Sequence, residues 1–191
     1  MGGQEAAHVA ERESDSATIV ASLADPDRFA AIFDRHFDGV HRYLARRASA
    51  ALADDVASGT FVLAFERRQS FRAESTSARP WLLGIATNLL RERWRAERRE
   101  LGTALRLSAV PTPAVGAAAE MQTGVLAAAL AALEAPQRDV LLLYAWEELS
   151  YEEISHALQI PIGTVRSRLA RARSHTRARL EGADHDHQEQ T

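Results

Sequence analysis

The sequence predicts an all-α protein made of two small helical domains joined by a flexible linker. Three observations carry this. Apolar residues recur at i, i+3, i+4 and i+7 in one stretch after another, the period of a helix with one packed face. Aromatic residues make up only 6% of an alanine-rich chain, which suits helices that pack closely. Between two groups of periodic stretches, residues 100–120, ELGTALRLSAVPTPAVGAAAE, lose the period around Pro111 and Pro113 and read as a linker. A length of 191 residues leaves room for a small domain on either side.

Residues 1–22 are polar and acidic and are expected to be disordered. The first domain is expected over residues 23–99. Its first helix opens at Pro26 with Asp25 as N-cap, and Phe29, Ile32, Phe33, His36, Val40, Tyr43 and Leu44 keep helical spacing. His36, on that apolar side, reads as a core-edge histidine and not as a ligand. A second helix is expected from about Leu52 to Gln69. Asp54 and Asp55 in its first turn and Arg67 and Arg68 near its end suit the helix dipole, while Val56, Phe61, Leu63 and Phe65 bury much of its circumference. Phe71 to Ala78 has the serine and threonine content of a loop. A third helix comes next, from Arg79 or Pro80 to Glu97, with Leu82, Ile85, Ala86, Leu89 and Leu90 inward. Trp81, Asn88 and Trp94 lie outside that face with Arg79, Arg91, Arg93, Arg95, Arg98 and Arg99.

The second domain is expected over residues 121–181. Val125, Leu126, Ala129, Leu130 and Leu133 are in period, and Pro136 restarts the chain into a helix from Gln137 to Trp146. Val140, Leu141, Leu143 and Tyr144 of that helix should form the floor under the last two helices. Ser150 and Glu153 have the spacing of a capping box, so a helix opens there and buries Ile154, Ala157 and Leu158. Gln159 and Pro161 break it. A last helix beginning near Ile162 puts Ile162, Val165, Leu169, Ala172 and Thr176 inward. At about 100° per residue, Arg166, Ser167, Ala170 and Arg171 gather on the opposite side, with Thr164 and Arg168 on one flank and Arg173 on the other. Residues 182–191 are expected to form a disordered tail, in which His185 and His187 read as a solvated end and not as a metal site.

Charge is segregated. All 23 basic residues are arginine and the formal net charge is −3, yet between Ile162 and Leu180 six arginines occur with no acid. Two short helices joined by a tight turn, the second apolar inside and basic outside, are what a helix-turn-helix that reads the DNA major groove requires. Guanidinium groups can bond guanine O6 and N7 in pairs, and flanking charges can neutralise phosphates. The absence of cysteine excludes disulfides, thiol redox sensing and cysteine-ligated zinc. No run approaches the roughly 18 apolar residues of a membrane span, and the N-terminal MGGQEAAHVAERESDS lacks the apolar centre of a signal peptide. A cytoplasmic location is expected, with no cofactor and no metal.

The stretch LSYEEISHALQIPIGTVRSRLARAR resembles the C-terminal DNA-binding region of the extracytoplasmic-function (ECF) group of sigma-70-type factors, with Ser155 standing where the pattern usually has alanine. The pair Asp54 and Asp55 ahead of phenylalanine and alanine resembles the polymerase-binding helix of sigma region 2, with Ser58 and Gly59 where glutamine and glutamate are usual. The segment from Arg79 through Trp81 and Asn88 to Arg99 resembles the promoter-melting part of the same region. The resemblance spans about residues 26–180. It implies a region 2 helical bundle and a region 4 helix-turn-helix that together direct core RNA polymerase to promoters.

By that resemblance the last helix reads the −35 element as duplex. Arg166, Ser167, Ala170 and Arg171 lie nearest the base edges, and Thr164, Arg168 and Arg173 hold phosphates. Phe71, Arg72, Arg79, Trp81, Asn88, Arg91 and Arg95 are implied for the opened −10 strand, which needs stacking surfaces, a pocket for a flipped base and positive charge. Asp54, Asp55, Ser58, Phe61, Val62 and Phe65 are implied for docking on the coiled coil of the largest polymerase subunit. The implied partners are core RNA polymerase, promoter DNA and an anti-sigma factor, with no small-molecule substrate. A simple transcriptional regulator with a sensing N-terminal half would share the helix-turn-helix, but it would leave the Trp81 to Arg99 segment without a role. An enzyme is disfavoured, since no nucleophile elbow, phosphate loop or spaced metal ligands appear.

Overall fold

The computed structural model describes residues 13–72, 75–105 and 122–188, and among them the regular structure is all helical. Helix α1 spans Asp15–Ala21 and is capped by Ser14, whose hydroxyl accepts the Ala17 N–H at 3.2 Å. One turn of 3-10 helix at Pro26–Phe29 leads into α2, Ala30–Ala45. α3 follows at Ala50–Glu66 and α4 at Arg79–Leu105. The C-terminal half contains α5 (Gln122–Ala131), α6 (Ala135–Ala145), α7 (Tyr151–Leu158) and α8 (Ile162–Gln188).

Several boundaries differ from the sequence expectation. The N-terminal segment is helical over residues 15–21, not disordered, because Asp15, Thr18 and Ile19 are buried against the bundle; residues 1–12 lie outside the described residues. Asp25 makes no side-chain cap bond. α3 begins at Ala50, so Asp54 and Asp55 sit in its second turn and not its first. α4 continues past Glu97 into residues 100–105, expected as linker, and residues 106–121 lie outside the described residues. α8 runs on through residues 182–188, expected as a disordered tail.

The helix-turn-helix forms as its local signals require. The Ser150 hydroxyl accepts the Glu153 N–H at 3.2 Å while the Glu153 carboxylate accepts the Ser150 N–H at 2.8 Å, completing the capping box. α7 ends where Gln159 adopts the left-handed conformation, φ 53° and ψ 46°, and the Ile160 N–H reaches back to the Ser155 carbonyl at 3.1 Å. That closes a C-terminal turn of the usual kind. Ser155 has a use that alanine lacks, since its hydroxyl donates to the Ile160 carbonyl at 2.6 Å and fastens the turn.

A continuous apolar core runs through both halves. Leu82, Leu83, Ala86 and Leu90 of α4 share it with Leu142 and Leu143 of α6, Ile154 and Leu158 of α7, and Val165 and Leu169 of α8. α4 crosses α7 at Gly84, where a Cβ would stand 2.1 Å from the Ala157 carbonyl oxygen, so only glycine allows this approach. Gly59 serves a milder version of the same need, for a Cβ there would meet the Leu89 side chain at 3.0 Å between α3 and α4.

Ion pairs join the halves beside that crossing. Asp139 of α6, 1% exposed, receives Arg47 and Arg91 on its two oxygens. Arg47 also donates to the Tyr43 hydroxyl, which shares a 2.8 Å bond with Thr87. At the start of α4, Arg79 donates to the Glu147 carbonyl at 2.8 Å and to its carboxylate at 2.6 Å.

Candidate nucleic-acid interface

On α8, Val165, Leu169 and Ala172 are fully inside, so the helical period turns Arg166, Ser167, Ala170 and Arg171 outward, and all four are exposed. Thr164 and Arg168 are half-buried on the flank of that surface. The Ser167 hydroxyl donates to the Thr164 carbonyl at 3.1 Å. Arg173 is exposed, with its guanidinium 4.6 Å from the Tyr144 ring centroid. Among the described residues no ion pair engages Arg166, Arg168, Arg171 or Arg173. The face is a cationic surface open to water, shaped by a helix that fits a major groove.

The residues implied for the opened strand divide into two sets. Phe71 and Trp81 meet edge to face at 5.2 Å, and Arg72, Asn88 and Arg95 are exposed. Arg79 and Arg91 do not face solvent as free cations, because Glu147 and Asp139 of the C-terminal half hold them. The geometry of α4 explains why. At 100° per residue, Trp81, Gly84, Asn88, Arg91 and Arg95 fall within an arc of about 80°, and α7 rests on that arc at Gly84. The C-terminal half therefore covers part of the stripe that would meet a DNA strand.

The α3 surface also differs from the expectation in part. Asp54, Asp55, Ser58 and Val62 are exposed, Val62 by 58%. Phe61 is buried against Phe33 and Phe37, at ring distances of 5.0 and 5.8 Å, and Phe65 packs on Phe29 at 5.5 Å. These two phenylalanines support the surface from beneath. Phe33 of α2, placed on the apolar side by its period, is 41% exposed beside them. Asp54 bonds His41 at 2.7 Å and Asp55 pairs with Arg93 at 2.9 Å.

Sequence reasoning passed over Asp139, Glu147, Arg47 and Gly84. One signal was available for Asp139, a lone acid directly ahead of the apolar run from Val140 to Tyr144, since a buried carboxylate requires a cationic partner.

A family model of sigma-70 region 2 matches residues 32–100, and one of sigma-70 region 4 matches residues 123–176. The chain is also 33% identical over 133 residues to the ECF RNA polymerase sigma factor EcfG of Rhodopseudomonas palustris, covering 67% of this chain and 71% of that one. The chain belongs to the ECF group of sigma-70 factors. It is similar as well to the ECF RNA polymerase sigma-E factor of Haemophilus influenzae, at 29% identity over 181 residues, 86% of this chain and 94% of the relative. Two solved structures share the fold. One is CnrH in complex with the cytosolic domain of CnrY, with a TM-score of 0.60 and 24% identity over 88% of this chain and 97% of that one. The other is RpoE in complex with the anti-sigma factor NepR from Bartonella quintana, with a TM-score of 0.59 and 24% identity over 80% and 96% of the two chains. As an ECF sigma factor, the protein is a transcription-initiation factor that directs RNA polymerase to promoters. Among the described residues, no helix is long and apolar enough to cross a membrane.

Proposed function

We propose that this sigma factor reads the −35 element as duplex through the first turns of α8 and holds the −10 element as an opened strand on region 2. The acid-free arginine face of α8, exposed on the second helix of a helix-turn-helix, carries this reading. Arg166, Ser167, Ala170 and Arg171 address base edges, while Thr164, Arg168 and Arg173 hold phosphates. Phe71, Arg72, Trp81, Asn88 and Arg95 meet the opened strand, joined by Arg79 and Arg91 once these leave Glu147 and Asp139. The exposed side of α3, with Asp54, Asp55, Ser58 and Val62, docks on core polymerase, extended by Phe33 and underlain by Phe61 and Phe65. The catalytic chemistry belongs to the polymerase, which together with chromosomal DNA places the protein in the cytoplasm.

In the structure α7 of region 4 packs on α4 of region 2 at Gly84, beside the residues proposed for the −10 strand. We read this as a closed form that opens when polymerase binds. An anti-sigma factor fits the same logic, since two solved structures of this fold are complexes, one with an anti-sigma factor and one with the cytosolic domain of CnrY.

Runoff transcription with reconstituted holoenzyme tests the assignment. Arg171→Ala should lower transcription and relax preference in the −35 element, because one good bidentate contact contributes about 1 to 3 kcal/mol of discrimination. Unchanged base preference in a −35 selection would remove Arg171 from the readout. Trp81→Ala should leave core binding intact while reducing permanganate reactivity of −10 thymines. Normal opening would make the Trp81 contact with Phe71 a packing contact only.

A further inference from the structure

Helix α1 precedes the family-matched ranges, which begin at residue 32, and it supplies none of the residues assigned above to DNA or polymerase. It nevertheless touches the chain at both ends of the Phe71 to Arg79 segment. On the near side, the Arg68 guanidinium donates to the Ser22 carbonyl at 3.3 Å and to the Phe65 carbonyl at 2.6 Å, and lies 4.0 Å from the Phe65 ring centroid. On the far side stands Ala78, fully buried. Its carbonyl accepts the first helical bond of α4 from the Leu82 N–H at 2.9 Å, which makes it the N-cap residue. Alanine is among the poorest N-caps because its side chain accepts nothing.

What α1 supplies is an acceptor for the N-cap residue's own N–H. The Ala78 N–H donates to Asp15 Oδ2 at 2.7 Å. His36 bonds the same oxygen at 2.7 Å, and Arg35 pairs with the other. Asp15 is 5% exposed. Burial pushes its carboxyl up, but the Ala78 N–H, Arg35 and His36 together outweigh burial and hold it below its ordinary 3.8. The group is a carboxylate at neutral pH, and charge-assisted bonds of this kind are about twice as strong as neutral ones.

We infer that Asp15 is a positioning residue for the −10 strand: by holding the Ala78 N–H it fixes where α4 begins, and so sets Trp81 against Phe71. α1 is thus a brace across the two ends of the strand-reading segment. This inference rests on the region 2 reading proposed above.

The test uses full-length sigma factor in reconstituted holoenzyme and promoter fragments randomised over the −10 element with a fixed −35 element. Asp15→Ala should reduce enrichment of the preferred −10 bases by about tenfold or more, the fold-change that loss of one hydrogen bond to a charged group brings. Core affinity and −35 selection should remain at wild-type values. Asp15→Asn, which keeps an oxygen for the Ala78 N–H, should restore most of the −10 preference, a rescue that a general loss of stability would not show. Should Asp15→Ala fail to fold, Arg68→Gln cuts the other anchor and should flatten the same positions. Wild-type −10 preference in both Asp15→Ala and Arg68→Gln would overturn the brace. A wild-type holoenzyme with no −10 preference at all would instead overturn the region 2 reading beneath it.

Discussion

Asp139→Asn is expected to part regions 2 and 4 of the free sigma factor while leaving each region helical. The side chains of Asp139 and Arg47 are 1% and 2% exposed, so the substitution leaves a guanidinium charge enclosed without its counter-charge. Breaking a buried ion pair from one side costs about 3 to 5 kcal/mol. Unfolding is not needed to escape that cost, because Arg47 and Arg91 belong to region 2 and Asp139 to region 4, and separation returns all of them to water. The chain contains no cysteine, so dyes on Ala51→Cys and Ser174→Cys, both exposed positions, report the distance cleanly. Energy transfer should fall while helical circular dichroism persists. Unchanged transfer with a single lowered melting transition would show that the ion cluster holds one rigid body.

Gly84→Ala should reach the same open state without touching a charge. The new Cβ would lie 2.1 Å from the Ala157 oxygen and 2.7 Å from its carbonyl carbon, and neither backbone can rotate away. Overpacking of this kind costs typically about 1 to 3 kcal/mol. In the open form the sign reverses, since alanine is a better helix residue than glycine by about 1 kcal/mol. Both effects move the population the same way. Free Gly84→Ala protein should show reduced energy transfer and bind a single-stranded −10 oligonucleotide more tightly, while holoenzyme transcription stays at least at the wild-type level. A closed Gly84→Ala protein, or one whose holoenzyme is inactive, would mean that the α4 and α7 contact persists during initiation.

The parts of this molecule that are readable from sequence are those whose causes lie within a few residues. Ser150 and Glu153 announce α7 because a capping box is local, and the arginine face of α8 follows from a period of 3.6 laid over Val165, Leu169 and Ala172. Helix α1 is unreadable because its seven residues are too few to show a period and two of the three it buries, Asp15 and Thr18, are polar, while Asp15 meets its partner Ala78 63 positions away. The pairing of Arg47 with Asp139 spans 92 positions, and no pattern along the chain connects them. Resemblance assigns Arg79 and Arg91 to a DNA surface, which is compatible with their chemistry but says nothing of the carboxylates that occupy them here. Phe61 escapes for another reason. α3 is apolar around most of its circumference, so Phe61 reads both as a core residue and, by resemblance, as a docking residue, and only its packing on Phe33 and Phe37 decides for the core.

The unbroken length of α8 carries a mechanical implication. Twenty-seven residues at 1.5 Å each make a rod of about 40 Å, whereas a major groove is about 12 Å across. Only the first few turns can enter it, and the remainder projects as a lever. If α8 enters the groove as proposed, a force applied near Leu180 would rotate Arg166 and Arg171 as one stiff body, so an object gripping the far end could steer promoter contact without approaching the bases.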